Sequence, residues 1–261
     1  MTTHASPLEN RTLDTLVLDD EASFRHISLY GDLKEVLRRA GYAFHLLPAA
    51  ARRWDRALFL NLTFWQGGSD VLIDEVLPAD VVTHVAWHHL AAKAFAQEPP
   101  STDALLLGEA IASAFDVYLI GRMLHHAPDS AFLESQMPAL ATAVQEAGMS
   151  EAQFAALLET VAADPDRAFE DLRELLFDAT TGLLQCTDTE SALALLTDLD
   201  RHRFGPLLHH YELSNWVLSA RALPAAAMAP NGRVREVDRA LREAPVALDW
   251  LEKAWVLPGM R

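Results

Sequence analysis

The chain has 261 residues, 51% of them hydrophobic, and it carries 37 acidic against 21 basic side chains. A chain of this length and apolar content buries a hydrophobic core, which excludes an intrinsically disordered protein. The formal net charge of −16 repels phosphate groups, so we expect no nucleic-acid partner, whereas a metal ion or cationic ligand is attracted. The single cysteine excludes an intramolecular disulfide framework and suits a reducing compartment.

The sequence predicts neither a targeting signal nor a membrane-spanning segment. Residues 1–20 are polar and lack the apolar core of a secretory signal. The longest apolar stretch, residues 104–124, contains Glu109, Asp116 and Arg122, whereas a membrane span needs about 18 or more residues with few or no charges. We therefore expect an acidic cytoplasmic protein with no membrane partner, and its oligomeric state stays open.

The hydrophobic periodicity predicts a mainly α fold. Residues 1–20 have the character of a loose lead-in, and residues 21–261 form one mostly helical domain with a soft division near residue 128. The first helix is expected over Ser23–Ala40, and Pro48 suits the start of a second.

Residues 57–73 allow two interpretations. The stretch from Ala57 to Trp65 alternates partially and is rich in residues that favour strands. Gly67-Gly68 would then form a turn, and Val71–Ile73 would return as a second strand of a small β-hairpin. A helix over the first part is the competing interpretation.

Start and stop signals predict helices throughout the remainder of the chain. Ser150 to Gln153 and Thr187 to Glu190 have the form of capping boxes, and Asp164-Pro165 suits an N-cap followed by a first turn. Further helices are expected over Ser130–Ala147, from Pro206, and over Val234–Ala254. The tryptophans Trp54, Trp65, Trp87 and Trp216 are expected in the core or in a pocket wall.

Two adjacent helices between Leu77 and His126 carry ionisable side chains at positions where apolar residues belong. His84 and His88 lie one turn apart on the first helix, and Glu109 and Asp116 share a face of the second. A short turn over residues 97–102 makes the helices antiparallel neighbours. Counting from that turn places His88 level with Glu109 and His84 level with Asp116, so these groups can close on one metal ion.

The run His84-Val-Ala-Trp-His88, followed by Glu109, resembles the metal-ligand layout of gluzincin metallopeptidases. In that family one helix carries the motif HExxH and a glutamate on a following helix supplies the third zinc ligand. The resemblance implies His84, His88 and Glu109 as metal ligands, with water at an open fourth position. A pair of strands before the motif helix, as predicted at residues 57–73, is also similar.

The sequence departs from this family at Val85, which stands where the family has its catalytic glutamate and cannot accept a proton from bound water. A zinc hydrolase or lyase would need another base, for which Asp116, His89 and Glu75 are the candidates. Two histidines and one carboxylate are also the ligand set of non-haem Fe(II) oxygenases. The cofactor is thus Zn or Fe(II), and Asp116 is either a fourth ligand or a partner of a ligand.

Two functions therefore stay open. The first is a metal-dependent enzyme that acts on a small molecule or peptide over the helix pair. The second is a non-catalytic binding or interaction protein that retains a degenerate metallohydrolase-like scaffold. Other histidines are explained more simply: His125 and His126 complement a helix dipole. His202, His209 and His210 form a second cluster that would reach the pocket only from a distant helix.

Overall fold

The computed structural model describes residues 8–64, 70–96, 101–224, 227 and 230–260, with the side chains of residues 62–64 left out. It confirms the predicted fold class, a mainly helical single domain. One continuous cluster of buried apolar side chains runs from Leu13 to Val256 and includes residues on both sides of residue 128.

Helices make up most of the described chain. They are α1 (Glu21–Phe24), α2 (Ser28–Ala40), α3 (Trp54–Phe64), α4 (Ala79–Ala94), α5 (Thr102–His126), α6 (Ala131–Glu146), α7 (Glu151–Ala163), α8 (Pro165–Gln185), α9 (Thr189–Leu199), α10 (Leu213–Arg221), α11 (Gly232–Glu243), α12 (Ala247–Leu251) and α13 (Leu257–Gly259). Short 3-10 turns lie at Leu13–Thr15, Ala49–Ala51 and Gly205–Leu207, and a π-helical turn at Glu252–Val256 joins the last two helices. The predicted caps at Ser150 and Asp164 each accept a backbone hydrogen bond. The predicted capping box at Thr187 is wrong by one residue, because Asp188 caps α9 and its side chain accepts from the backbone N of Ser191.

Two small sheets lie beside the helices. In the first, β3 (Phe44–Leu46) pairs antiparallel with β1 (Glu9–Arg11) and parallel with β4 (Val71–Leu72). In the second, β2 (Val17–Asp19) pairs in parallel with β5 (Val76–Pro78). The prediction of a loose lead-in is therefore wrong for residues 9–19, because their backbone groups pair with strands far along the chain; residues 1–7 lie outside the described part.

The predicted β-hairpin is also wrong in its first strand, since residues 54–64 form α3. The second strand exists as β4, but it pairs with β3, and Gly67-Gly68 lies outside the described residues. The side chain of Asn61 explains the arrangement: its Oδ1 accepts from the backbone N of Val71 at 2.7 Å, so the helix packs along the strand. The alternation of apolar residues wrongly predicted a strand because several apolar side chains of α3 are not buried. Trp54 and Phe59, for example, are each 69% exposed.

The core is organised around α5, which packs against α4 on one side and against α7 and α8 on the other. Glycines permit both close approaches: a Cβ at Gly108 would lie 3.2 Å from Ala91 Cβ, and one at Gly121 would lie 2.6 Å from the carbonyl oxygen of Val161. Among the described helices, α5 is long and apolar enough to cross a membrane by length and composition, and 83% of that window is buried in the molecule.

Candidate metal centre

The candidate site lies on the cavity-facing side of the helix pair α4 and α5. Asp80 in the first turn of α4 suits the helix dipole. The N-cap of α5 is Ser101, whose Oγ accepts from the backbone N of Ala104 at 3.2 Å. Gly108 of α5 packs on Ala91 of α4, which brings the two helix axes close together. The predicted turn falls on residues 97–102, of which 97–100 lie outside the described part.

The structure confirms the predicted facing pairs. Oδ2 of Asp116 lies 3.3 Å from Nδ1 of His84 and accepts its hydrogen, and Oε1 of Glu109 lies 3.5 Å from Nε2 of His88. The later residue on α4, His88, faces the earlier residue on α5, Glu109, so the two helices are antiparallel. The two imidazole rings have centroids 4.9 Å apart.

Three side chains are close enough to share an ion. One ligand atom from each of His84, His88 and Glu109 lies within 4.8 Å of the others. Around a tetrahedral zinc ion with bonds of about 2.0–2.1 Å, ligand atoms stand about 3.3 Å apart. The separation of 3.5 Å between His88 Nε2 and Glu109 Oε1 is close to that value.

The four facing side chains lie at the boundary between the core and the cavity. The histidines are about one-third exposed, at 34% and 33%, whereas Glu109 is 12% exposed. Trp87, between them in sequence, is fully buried and meets the edge of Phe115 on α5. The same helix therefore turns the partly exposed His84 and His88 to one side, of which His84 lines the cavity, and its apolar residues to the core.

Electrostatics distinguish the two histidines. Burial disfavours a charged His84, but the charge and hydrogen bond of Asp116 outweigh it and raise the pKa of His84 to about 9. Burial and the charge of His84 lower the pKa of His88 to about 3. Burial raises the pKa of Glu109 to about 7. Without a metal, His84 is thus positively charged near pH 7, whereas His88 is neutral and has a free lone pair.

Two carboxylates that the sequence analysis did not assign to the site belong to its surroundings. Asp80 lies one turn before His84, and burial followed by repulsion from Asp116 raises its pKa to about 6. Asp70 precedes β4, and its carboxylate accepts from Tyr42 Oη at 3.0 Å while its charge favours protonation of His84. The spacing of four residues between Asp80 and His84 on one helix could have predicted that Asp80 lies near the site. The position of Asp70 could not be predicted in this way, because it depends on the pairing of β4 with β3.

A cavity of about 470 Å³ opens over the ligands. Its floor is formed by His84, Glu109 and Ser113, and its far wall by a segment between residues 210 and 219 that leads into α10. The wall residues are His210, Tyr211, Glu212, Asn215, Trp216, Leu218 and Ser219. Of the predicted histidine cluster only His210 reaches this cavity, whereas His209 is exposed and 3.9 Å from Glu146.

Comparison of the chain with protein-family models, curated proteins and solved structures finds no match. The gluzincin resemblance therefore stays a prediction that rests on His84, His88 and Glu109. Val85, at the position of the family's catalytic glutamate, is 2% exposed and packs in the core.

None of the three candidate bases lines the cavity, and of the three Asp116 comes nearest, through its contact with the lining residue His84. The ring of His89 meets Tyr42 edge-on at 5.7 Å between centroids, on another side of α4. Glu75 is exposed at the surface, and its Oε1 lies 3.2 Å from Nη2 of Arg11. Their assignment to catalysis is thus not supported by their positions, because a general base must reach the reacting group.

Proposed function

We propose that His84, His88 and Glu109 bind one Zn(II) or Fe(II) ion and that the protein is a metal-dependent enzyme for a small molecule. The observation that carries this proposal is the mutual approach of the three ligand atoms to within 4.8 Å. A carboxylate that is 12% exposed, like that of Glu109, is costly unless it is paired or ligated. Among the described residues its ion-pair partner is His88, whose lowered pKa leaves it uncharged.

Asp116 acts on the site as a positioning residue. Because its Oδ2 accepts the Nδ1 hydrogen of His84, the proton that His84 gives up when an ion binds is the one on Nε2, which leaves the Nε2 lone pair for the ion. A carboxylate that also increases the basicity of a ligating imidazole is the usual partner of histidine at metal sites. This supports the role of Asp116 as a partner of a ligand over the roles of fourth ligand and general base.

His210 is the best-placed group for proton transfer. It lines the cavity that contains His84 and Glu109, and burial lowers its pKa, so it is neutral near pH 7 and can accept a proton. His210 can therefore act as the general base, a role that the apolar side chain of Val85 cannot fill. When bound, zinc supplies Lewis acidity and iron supplies redox chemistry.

A second candidate function is a non-catalytic binding protein on the same scaffold. The observation that favours it is the burial of Val85, which leaves the position of the family's catalytic base inside the core. In that case the cavity retains a ligand and the residues around it carry out no proton transfer.

Metal analysis of untagged protein tests the first function. We expect one ion per chain after incubation with zinc or, without oxygen, with Fe(II), and loss of the ion in His84→Ala and Glu109→Ala. His89→Ala is the matched control, because it removes an imidazole from the same helix outside the ligand cluster. Wild-type protein that takes up neither metal stoichiometrically would contradict the proposal, and the identity of the bound metal distinguishes hydrolytic from oxidative chemistry.

A further inference from the structure

The wall of the cavity opposite the metal ligands has a chemistry of its own. Its described residues carry one carboxylate, Glu212, two large aromatic rings, Tyr211 and Trp216, and neutral polar groups such as Asn215. None of the lining residues that the structure describes is a lysine or an arginine. An anionic group of a ligand would therefore find no guanidinium or ammonium partner here, whereas a cation would find a carboxylate and two aromatic faces.

Glu212 is held in a defined position. Its φ of 48° is a left-handed backbone conformation that few residues other than glycine adopt, and such residues concentrate at ligand sites. Its Oε2 accepts a hydrogen bond from Nδ2 of Asn215 at 2.6 Å, one turn into α10. The backbone and the amide together direct this carboxylate, which lines the cavity beside Trp216.

The floor of the cavity does not offset this negative character. The floor residue His84 lies 3.3 Å from the carboxylate of Asp116, and Glu109 places a second carboxylate in the floor. Asp70 and Asp80 add further negative charge nearby, and the whole chain carries a net charge of −16. The field at the cavity mouth therefore attracts small cations and repels small anions.

We propose that this cavity binds a small organic cation, a primary amine attached to an apolar or aromatic group, with its nitrogen between Glu212 and Trp216. A volume of about 470 Å³ suits a ligand of this size. The proposal rests on the proposed function for the other end of the ligand, which would face the metal ligands. The cation itself is recognised by Glu212 and Trp216 of the wall, so it should bind whether or not a metal is present.

Three probes that share a phenylethyl group and differ in charge test this specificity. They are 2-phenylethylamine, 2-phenylethanol and 3-phenylpropanoate, each titrated calorimetrically into metal-free and metal-loaded protein. We expect the amine to bind metal-free protein about three- to fivefold more tightly than the alcohol, and the carboxylate to bind most weakly. The preference for the amine should shrink as salt is added, because Glu212 is exposed.

Variants assign the preference to the wall. Glu212→Gln should weaken amine binding about three- to fivefold without changing alcohol binding, and Trp216→Leu should weaken both. Glu236→Gln on α11 makes the same charge change at an exposed position far from the cavity lining and should have no effect. Thermal melting of each variant checks that the fold is kept.

Equal affinity of metal-free protein for all three probes, or equal losses in Glu212→Gln and Glu236→Gln, would overturn this proposal. The two proposals fail separately. Protein that prefers the amine but takes up no metal overturns the metal site alone. Protein that binds the metal through His84 but does not distinguish the probes overturns the cation site alone.

Discussion

Two groups of buried charged residues in this protein are built differently. Between α8 and α11, Arg173 is 1% exposed and its Nη1 lies 2.6 Å from Oδ1 of Asp238. Arg242 completes that cluster, with Nε 2.9 Å from Asp238 and Nη2 2.6 Å from Asp178. Between α4 and α5, the carboxylates of Glu109 and Asp116 face imidazoles at 3.3–3.5 Å.

The difference shows what each cluster does. Arginine is permanently charged and donates in a fixed fork, so the carboxylates of the α8–α11 cluster are paired with cations that keep their charge. Imidazoles can give up their protons, so the carboxylates between α4 and α5 keep negative charge for a cation. A cluster that lacks arginine and faces a cavity is therefore the better candidate for function, although both clusters are ionic.

The largest expected effect comes from breaking the α8–α11 cluster. Asp238→Ala leaves Arg173 buried without its carboxylate, and we expect a loss of about 3–5 kcal/mol in the free energy of unfolding, measured with urea. Glu236→Ala, two residues away on the exposed face of α11, is the control and should cost little. If both variants lost the same stability, the α8–α11 cluster would not differ from surface pairs.

A carboxylate added to the core side of α4 should also be destabilising. Val85→Glu places a charge at a position that is 2% exposed, and we expect a loss of about 2–4 kcal/mol in unfolding free energy. Because this position packs in the core, we expect no gain in peptide hydrolysis. Val85→Met, which stays apolar, is the control for the change of size. A stable Val85→Glu variant with new peptidase activity would show that the side chain reaches the cavity.

Removing the charge of Glu109 should stabilise metal-free protein, in contrast to the two preceding substitutions. Glu109→Gln relieves a desolvated carboxylate that has no arginine or lysine partner among the described residues, and we expect unfolding free energy to rise by about 1–2 kcal/mol. The same variant should lose the rise in melting temperature that zinc or iron gives to wild type. Destabilisation of the metal-free variant would indicate that the carboxylate of Glu109, like that of Asp238, is stabilised by its neighbours in the absence of an ion.

The smallest effect is expected at a third cluster, in which two imidazole rings lie near Arg122. The ring of His26 packs 4.3 Å from that of His126 at the end of α5. Burial, followed by the charges of His126 and Arg122, lowers the pKa of His26. Its stabilising contribution is therefore present above the ordinary pKa of histidine and is lost as the pH falls through the lower folded value. His26→Gln should flatten the dependence of melting temperature on pH between 7 and about 5; an unchanged slope would assign it to other groups.

Local periodicity predicted the centre of the site well. The facing pairs of His84 with Asp116 and of His88 with Glu109 follow from counting along two helices, because an α-helix has one rise and one turn angle. The burial of Trp87 and the caps at Ser150 and Asp164 follow from equally local rules. The caps and helix faces depend on residues three to seven positions apart, and the facing pairs need in addition only the short turn between two consecutive helices.

Features that depend on distant segments were not predictable in the same way. Residues 9–19 carry no strand signal of their own and become strands because β3 and β5 offer them partners. Trp54 was expected in a core or pocket wall but is 69% exposed, because α3 packs on β4 through Ala57 and Asn61. His89 and Glu75 have suitable chemistry as bases, but neither lines the cavity.

The sequence by itself determined that the protein is mainly helical and that two histidines and two carboxylates face each other on neighbouring helices. Helix geometry imposes both from short-range spacing. Only the tertiary structure decided that Val85 lies in the core and that the segment from His210 to Ser219 forms the opposite wall. That wall stands about one hundred residues along the chain from Glu109, and its position is set by packing of the whole molecule around α5.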